Sequence, residues 1–390
     1  MNLPNSNWNF PTTFWFGNGR IKDLSQACKK LNIHHPLFVT DEGLVNLDIV
    51  KTTTEILRSE GIEFNIYSDV QGNPTGKNVT DGVEFYRQNA HDSVIAFGGG
   101  SALDAAKAIA LMSGQTRPLW DFEDVGDNWT KADPAGIAPV IAIPTTAGTG
   151  SEAGRASVIT DEEEHTKKII FHPGMLPDLI ISDPVLTTGL PPHITAWTGI
   201  DALVHALEAY CVPSFHPMAD GIAIEAIRII AKYLPLAVAD GNNLEARAQM
   251  LVASSMGAVA FQKGLGSIHS VAHQLGALYN IQHGLANSIL LPYGIKQNSP
   301  AIEGKMVHLC TVLGLENPGT DTFIDFVLNL REKLNIPASL GELDIDGACA
   351  EEIGRKAFKD PSTPTNARPV SAVDLQNLFT AALEGKMENL

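Results

Sequence analysis

The chain has 390 residues, beyond the roughly 250–300 at which one hydrophobic core stops growing, so two domains are expected. Hydrophobic residues make up 44% and charged ones 18%, the composition of a globular enzyme and not of a disordered or fibrous chain. Against 44 Asp and Glu stand 27 Lys and Arg, a formal net charge of −17; such a surface repels phosphate backbones and anionic lipid, which excludes nucleic acid and membrane surfaces as natural partners.

The opening stretch, MNLPNSNWNFPTTFWF, lacks a basic start followed by an apolar core and is not expected to act as a secretory signal. Short β-branched runs then alternate with amphipathic helical patterns. Residues 36–40 (PLFVT), 63–68 (EFNIYS), 93–97 (SVIAF) and 139–143 (PVIAI) read as strands, and residues 49–60, 78–89 and 102–112 as helices. Alternation of this kind predicts a mainly parallel sheet with helices on both faces.

The pattern changes at Leu190-Pro191-Pro192. Strand signals nearly vanish beyond it, and helical patterns follow one another over 194–210, 218–240, 244–262 and 284–297. The expected division is an α/β domain over 1–187 and an all-helical domain over 188–390. No run approaches the ~18 apolar residues needed to span a bilayer. Cys28, Cys211, Cys310 and Cys349 lie far apart with no CxxC pair, which suits reduced, mostly buried thiols and a cytoplasmic location.

Three segments of the first half point to nucleotide chemistry. Gly98-Gly99-Gly100-Ser101 follows a strand and opens a helix. Glycines let a backbone approach a ligand closely, and a helix N-terminus aims unpaired N–H groups at an anion such as a pyrophosphate. A plain tight turn is the other reading, and the GxGxxG fingerprint is absent. Pro144-Thr145-Thr146-Ala147-Gly148-Thr149-Gly150-Ser151-Glu152 follows the next strand with hydroxyls and small residues that suit phosphate oxygens or a nicotinamide pocket. Asp41, just past PLFVT, suits the adenosine ribose of NAD and disfavours NADP; a helix cap is the alternative.

Asp201 and His205 stand four apart in GIDALVHALEAY, and His269 and His273 stand four apart in LGSIHSVAHQLG, with His283 at a Gly-flanked break beyond. On a helix that spacing puts both side chains on one face. One carboxylate with two or three imidazoles suits Fe(II), Zn(II) or a similar ion. Nothing resembles HExxH, a cysteine zinc module, a GxSxG elbow or a P-loop.

GGGSALDAAKAIA, PTTAGTGSE, GIDALVHALEAY and GLGSIHSVAHQLG…HG, with Phe16-Gly17-Asn18-Gly19 and Gly72-Asn73-Pro74-Thr75, resemble the iron-containing alcohol dehydrogenases in order and spacing, over about residues 10–385. The resemblance implies a dehydroquinate-synthase-like fold and hydride transfer between NAD(H) and a small primary alcohol or aldehyde. A short hydroxy acid of the 4-hydroxybutyrate type is an alternative substrate, and a lyase or a non-catalytic NAD sensor an alternative function. It also implies that Asp201, His205, His269 and His283 bind Fe2+, with Zn2+ or another divalent ion as alternatives. His273 matches a motif histidine near substrate and nicotinamide ribose. Asp41 matches the position linked with NAD preference, and Asn73, Gly99, Gly100, Ser101, Thr145, Thr146, Thr149 and Lys167 match dinucleotide contacts. A homodimer or larger homo-oligomer is implied too. The chain departs from the common pattern at Ala260-Phe261-Gln262-Lys263 and Ala153-Gly154-Arg155. Lys263 or Arg155, if it lined the substrate pocket, would favour a substrate with a carboxylate or several oxygens; a surface position or an interdomain salt bridge is the alternative.

Overall fold

A computed structural model describes residues 10, 12–388 and 390; the reading of the opening stretch falls mostly on residues outside these. The described chain forms two compact units, Phe10–Leu190 and Pro191–Leu390.

In the first unit the chain runs β1 (Thr13–Phe16), α1 (Leu24–Leu31), β2 (Pro36–Val39), α2 (Asp48–Ser59), β3 (Asn65–Tyr67), α3 (Gly76–Gln88), β4 (Ser93–Gly98), α4 (Gly100–Met112), β5 (Val140–Pro144), β6 (Ala156–Asp161), β7 (Thr166–Phe171) and β8 (Leu179–Ser182). Six strands form one sheet in the order β1-β8-β5-β4-β2-β3, every pair parallel. Strand alternation sorts the side chains onto two buried faces. Leu37, Val39, Val94, Ala96, Val140, Ala142 and Ile180 face one core with residues of α3 and α4. Phe38, Ile95, Phe97, Ile141, Ile143, Leu179 and Ile181 face the other with residues of α1 and α2. Burial on both sides is why these strands read as unbroken apolar runs and not as alternating ones.

Some elements escape a reading by pattern. The hairpin β6–β7 turns through residues 162–165 with no Gly or Pro, and His165 takes the left-handed conformation (φ 50°) instead. α3 starts two residues before its expected beginning, because Thr75 caps it and exchanges hydrogen bonds with Asn78. The Phe16–Gly19 turn is pinned by Asp183, whose carboxylate accepts from the backbone N–H groups of Gly19 and Ile21.

The second unit, as described, is helical: α5 (Pro192–Cys211), α6 (Pro217–Ala239), α7 (Leu244–Ala260), α8 (Ser267–Tyr279), α9 (His283–Leu313), α10 (Thr320–Lys333), α11 (Ala350–Phe358) and α12 (Ala372–Glu384). α5 is buried nearly all round and packs against α6, α7 and α9, so it carries no polar face to waste on solvent. Its buried Asp201, His205 and Glu208 are therefore exceptions that need a reason. α9 continues well past its expected end, through Pro292 and Pro300; fully buried Leu290, Leu291 and Tyr293 hold it where intrinsic propensity would break it.

Candidate metal centre and nucleotide site

α5, α8 and the start of α9 each contribute to one cluster in the helical unit. Asp201, His205, His269 and His283 each offer a ligand atom, and these atoms all lie within 4.8 Å of one another. The rings of His205 and His269 stack with centroids 4.6 Å apart, and those of His269 and His283 lie 5.4 Å apart. Three imidazoles are turned towards the single Asp201 carboxylate with ring nitrogens 3.9, 3.9 and 3.6 Å from its oxygens, beyond direct hydrogen-bond reach. One carboxylate with three imidazoles is a donor set that divalent first-row cations accept.

Backbone fit makes the convergence possible. Gly266, just before α8, has no room for a side chain: a Cβ there would lie 2.6 Å from Asn366 Oδ1 and 2.9 Å from Glu208 Oε1. Its lack of a side chain lets the first turn of α8 reach Glu208, whose Oε1 accepts from the Ile268 N–H at 2.8 Å and whose Oε2 accepts from His269 Nδ1 at 2.6 Å. Burial works against charging His269, but Glu208, with Asp201 and Asp360, outweighs it and holds this imidazole above its usual range. Asn287, one turn after His283, donates from Nδ2 to Asp201 Oδ1 at 2.7 Å.

His273 shares the α8 face with His269 and stacks on His283, centroids 5.4 Å apart. Its Nδ1 lies 2.9 Å from Asp360 Oδ2, in a pair with almost no solvent exposure. Glu208 lies three residues after His205 and could have been read from helical spacing. Asp360, 87 residues beyond His273, carries no local signal.

In the α/β unit Asp41, Gly99, Gly100, Ser101, Thr145, Thr146 and Thr149 follow the C-terminal ends of the adjacent strands β2, β4 and β5, while Asn73 lies in the loop beyond β3 and Lys167 on the separate β6–β7 hairpin. The sheet order reverses between β2 and β4, the kind of switch point where open α/β sheets hold ligands. Asp41 follows β2 and the glycine turn follows β4. Asp41 Oδ1 accepts from the Leu44 N–H at 3.0 Å, so the local turn role is real, while Oδ2 lies 3.3 Å from where a Gly98 Cβ would stand. Burial pushes the Asp41 carboxyl above its usual range, offset in part by the N–H groups of Leu44 and Gly43.

The loop after β5 backs directly onto this turn. Thr145 N donates to the Gly98 carbonyl at 2.9 Å. A Cβ on Gly99 would lie 3.2 Å from Thr146 Cγ2, and one on Gly100 would lie 2.5 Å from Thr149 Cγ2. The glycines thus serve packing as well as openness. Ser101 sits in the first turn of α4, whose N-cap Gly99 makes no side-chain cap hydrogen bond, a terminus that fits an anion. Asn73, in the left-handed region at φ 61°, and Lys167 on β7 are joined by a 2.8 Å hydrogen bond. Beneath the loop, fully buried Lys107 donates to the carbonyls of Ser151 and Ala156, and Asp104 accepts from Ser151 Oγ and Val158 N; together they fix the Thr-rich loop to α4. Gly100→Ala is expected to displace Thr149, lower stability by about 1–3 kcal/mol and weaken NADH binding roughly tenfold, while metal content stays unchanged; thermal unfolding, a fluorescence titration and metal analysis check it.

Lys263 and Arg155 are engaged within their own units. The Lys263 amine is buried in an ion pair with Asp220 and also donates to the Tyr210 carbonyl at 3.3 Å. The Arg155 guanidinium stands over the Phe171 ring, 5.5 Å from its centroid. Of the described cysteines, Cys28, Cys211 and Cys310 are buried, and burial pushes the Cys28 and Cys211 thiols up to about 12.

The family profile "Iron-containing alcohol dehydrogenase" matches residues 11–184 and "Fe-containing alcohol dehydrogenase family, C-terminal" matches residues 195–383. The chain is 33% identical to the NAD-dependent methanol dehydrogenase of Bacillus methanolicus, over 97% of this chain and 100% of that one. It is 35% identical to the 1,3-propanediol dehydrogenase of Citrobacter freundii, over 95% and 97%. The crystal structure of sulfoacetaldehyde reductase from Bifidobacterium kashiwanohense in complex with NAD+ superposes with a TM-score of 0.87 at 30% identity, covering 98% of this chain and 99% of that one. The chain therefore belongs to the iron-containing alcohol dehydrogenase family and has its dehydroquinate-synthase-like fold. It is a metal-dependent oxidoreductase that couples NAD to alcohols and aldehydes. No helix among the described residues is long and apolar enough to cross a membrane.

Proposed function

We propose that this enzyme interconverts a small, uncharged primary alcohol and its aldehyde, with Asp201, His205, His269 and His283 holding Fe2+ or a similar divalent ion. The observation that carries the proposal is the convergence of these four donor atoms, drawn from three helices, within 4.8 Å. Bound metal supplies Lewis-acid polarisation of the substrate oxygen, and bound NAD supplies the hydride acceptor. The first-turn N–H groups of α4 at Gly100 and Ser101, with Gly99 and the hydroxyls of Thr145, Thr146 and Thr149, bind the pyrophosphate and nicotinamide side of NAD. Asn73 and Lys167 contribute a polar contact, and Asp41 selects the unphosphorylated ribose. His273, donating its Nδ1–H to Asp360, presents an Nε2 lone pair that takes a proton from a neighbouring hydroxyl.

An uncharged substrate is favoured over a short hydroxy acid because Lys263 is neutralised by Asp220 and Arg155 is stacked on Phe171. The proposal extends to a division of labour between residues 1–187 (nucleotide) and 188–390 (metal), to a homodimer or larger homo-oligomer, and to the cytoplasm, which suits the buried, unreactive thiols. Light scattering of the purified protein tests the assembly.

The deciding experiment is anaerobic purification, loading with Fe(II), and a nicotinamide absorbance assay across alcohols, diols, hydroxy acids and their aldehydes. Metal-dependent turnover ranked highest on uncharged alcohols supports the reading; preference for hydroxy acids overturns the substrate assignment. Asp41→Asn, which removes the charge but keeps an acceptor for Leu44, is expected to raise the ratio of NADP to NAD efficiency about 10–100-fold, since like-charge repulsion is worth several kcal/mol. An unchanged ratio removes Asp41 from cofactor choice.

A further inference from the structure

The four proposed ligands carry one negative charge between them, from Asp201. A divalent ion in this interior would keep a formal +1, and an uncompensated buried charge is costly. Glu208 stands seven residues after Asp201 and three after His205 on the same face of α5. Its carboxylate lies 2.6 Å from His269 Nδ1, with the two side chains 7% and 1% exposed.

We propose that Glu208 is a positioning residue of the metal centre: it fixes His269 as the Nδ1–H tautomer and adds a negative charge, one hydrogen bond behind a ligand, against the divalent ion. The proposal rests on the reading of Asp201, His205, His269 and His283 as ligands. An ionised carboxylate only accepts hydrogen bonds, so a proton on Nδ1 is the arrangement that satisfies Glu208, and it leaves the Nε2 lone pair for a cation. The second oxygen of Glu208 accepts from the Ile268 N–H, on the turn that carries His269. One side chain therefore sets the position of the α8 terminus, the tautomer of its ligand and the charge of the site. Gly266 is the local concession that permits it, since a Cβ there would crowd Glu208 Oε1.

Glu208→Gln separates these roles from simple capping. Gln has one acceptor oxygen for two donors, so Ile268 N and His269 Nδ1 cannot both be satisfied; the amide N–H group left facing His269 favours the opposite tautomer, with its proton on Nε2. The whole protein is stripped of metal and titrated with Co2+ against a chromophoric chelator, and thermal unfolding is followed with and without Co2+. Glu208→Gln is expected to weaken Co2+ binding about 10–100-fold and to shrink the Co2+-induced rise in Tm, with Glu208→Asp recovering part of both. The proposal is overturned if Co2+ binding stays within about twofold of the parent, or if only the metal-free Tm falls while the Co2+-induced rise is intact, the signature of a helix cap alone. Asp201→Asn in the same titration tests the underlying reading: if it binds Co2+ as the parent does, the ligand assignment fails, and the Glu208 proposal with it.

Discussion

His283→Ala is expected to lose bound metal and activity together. His283 is the most exposed of the four donors, its side chain at 19%, and it opens α9, so alanine removes a donor without cutting a large hole in the core. His269 is a poorer test, because its removal strands the buried Glu208 carboxylate. Loss of an outer hydrogen-bond partner already costs 10–100-fold in metal affinity, so loss of a direct donor is expected to exceed about 100-fold. Lewis-acid stabilisation is worth several kcal/mol, and each 1.36 kcal/mol is a factor of ten in rate, so turnover in limiting metal should fall by about 10²–10⁴. Metal analysis after gel filtration and NADH production measure the two losses side by side. Stoichiometric metal in the variant would remove His283 from the ligand set.

What could be read from the sequence follows from how local each signal is. Strands β2, β3, β4 and β5 and the four-residue spacings Asp201–His205 and His269–His273 are local patterns, set by the periods of strand and helix, and they stand where they were expected. The roles of the glycines were only half visible. Openness to a ligand could be inferred at Gly99 and Gly100, but their tight contact with Thr146 and Thr149 depends on two loops that meet only when β4 pairs with β5. Lys263 shows the limit from the other side. Its departure from the family pattern left a substrate contact and an ion pair both open, because its partner Asp220, 43 residues away, is invisible to spacing. β1 and β8 were also missed; they pair with each other across more than 160 positions, a contact that no local pattern reveals. Asp360 reaches His273 by the same kind of long-range closure.

That last pair gives the sharpest test of chemistry as distinct from structure. His273→Ala is expected to lower kcat by roughly 10²-fold, at the low end of what a positioned acid–base group contributes, with metal content unchanged. Alanine leaves the Asp360 carboxylate with the Ser362 N–H and a long contact to Gln274, so some loss of stability accompanies it. His273→Gln answers that objection, because its amide can still donate towards Asp360 but cannot take up a proton. If both variants keep their metal and both lose turnover, the imidazole itself acts in the reaction. If His273→Gln restores turnover, His273 serves only to hold Asp360 and the α8 face. Loss of metal in parallel with His283→Ala would instead make His273 part of the ligand set, since its ring stacks on that of His283 and lies within reach of the same cluster.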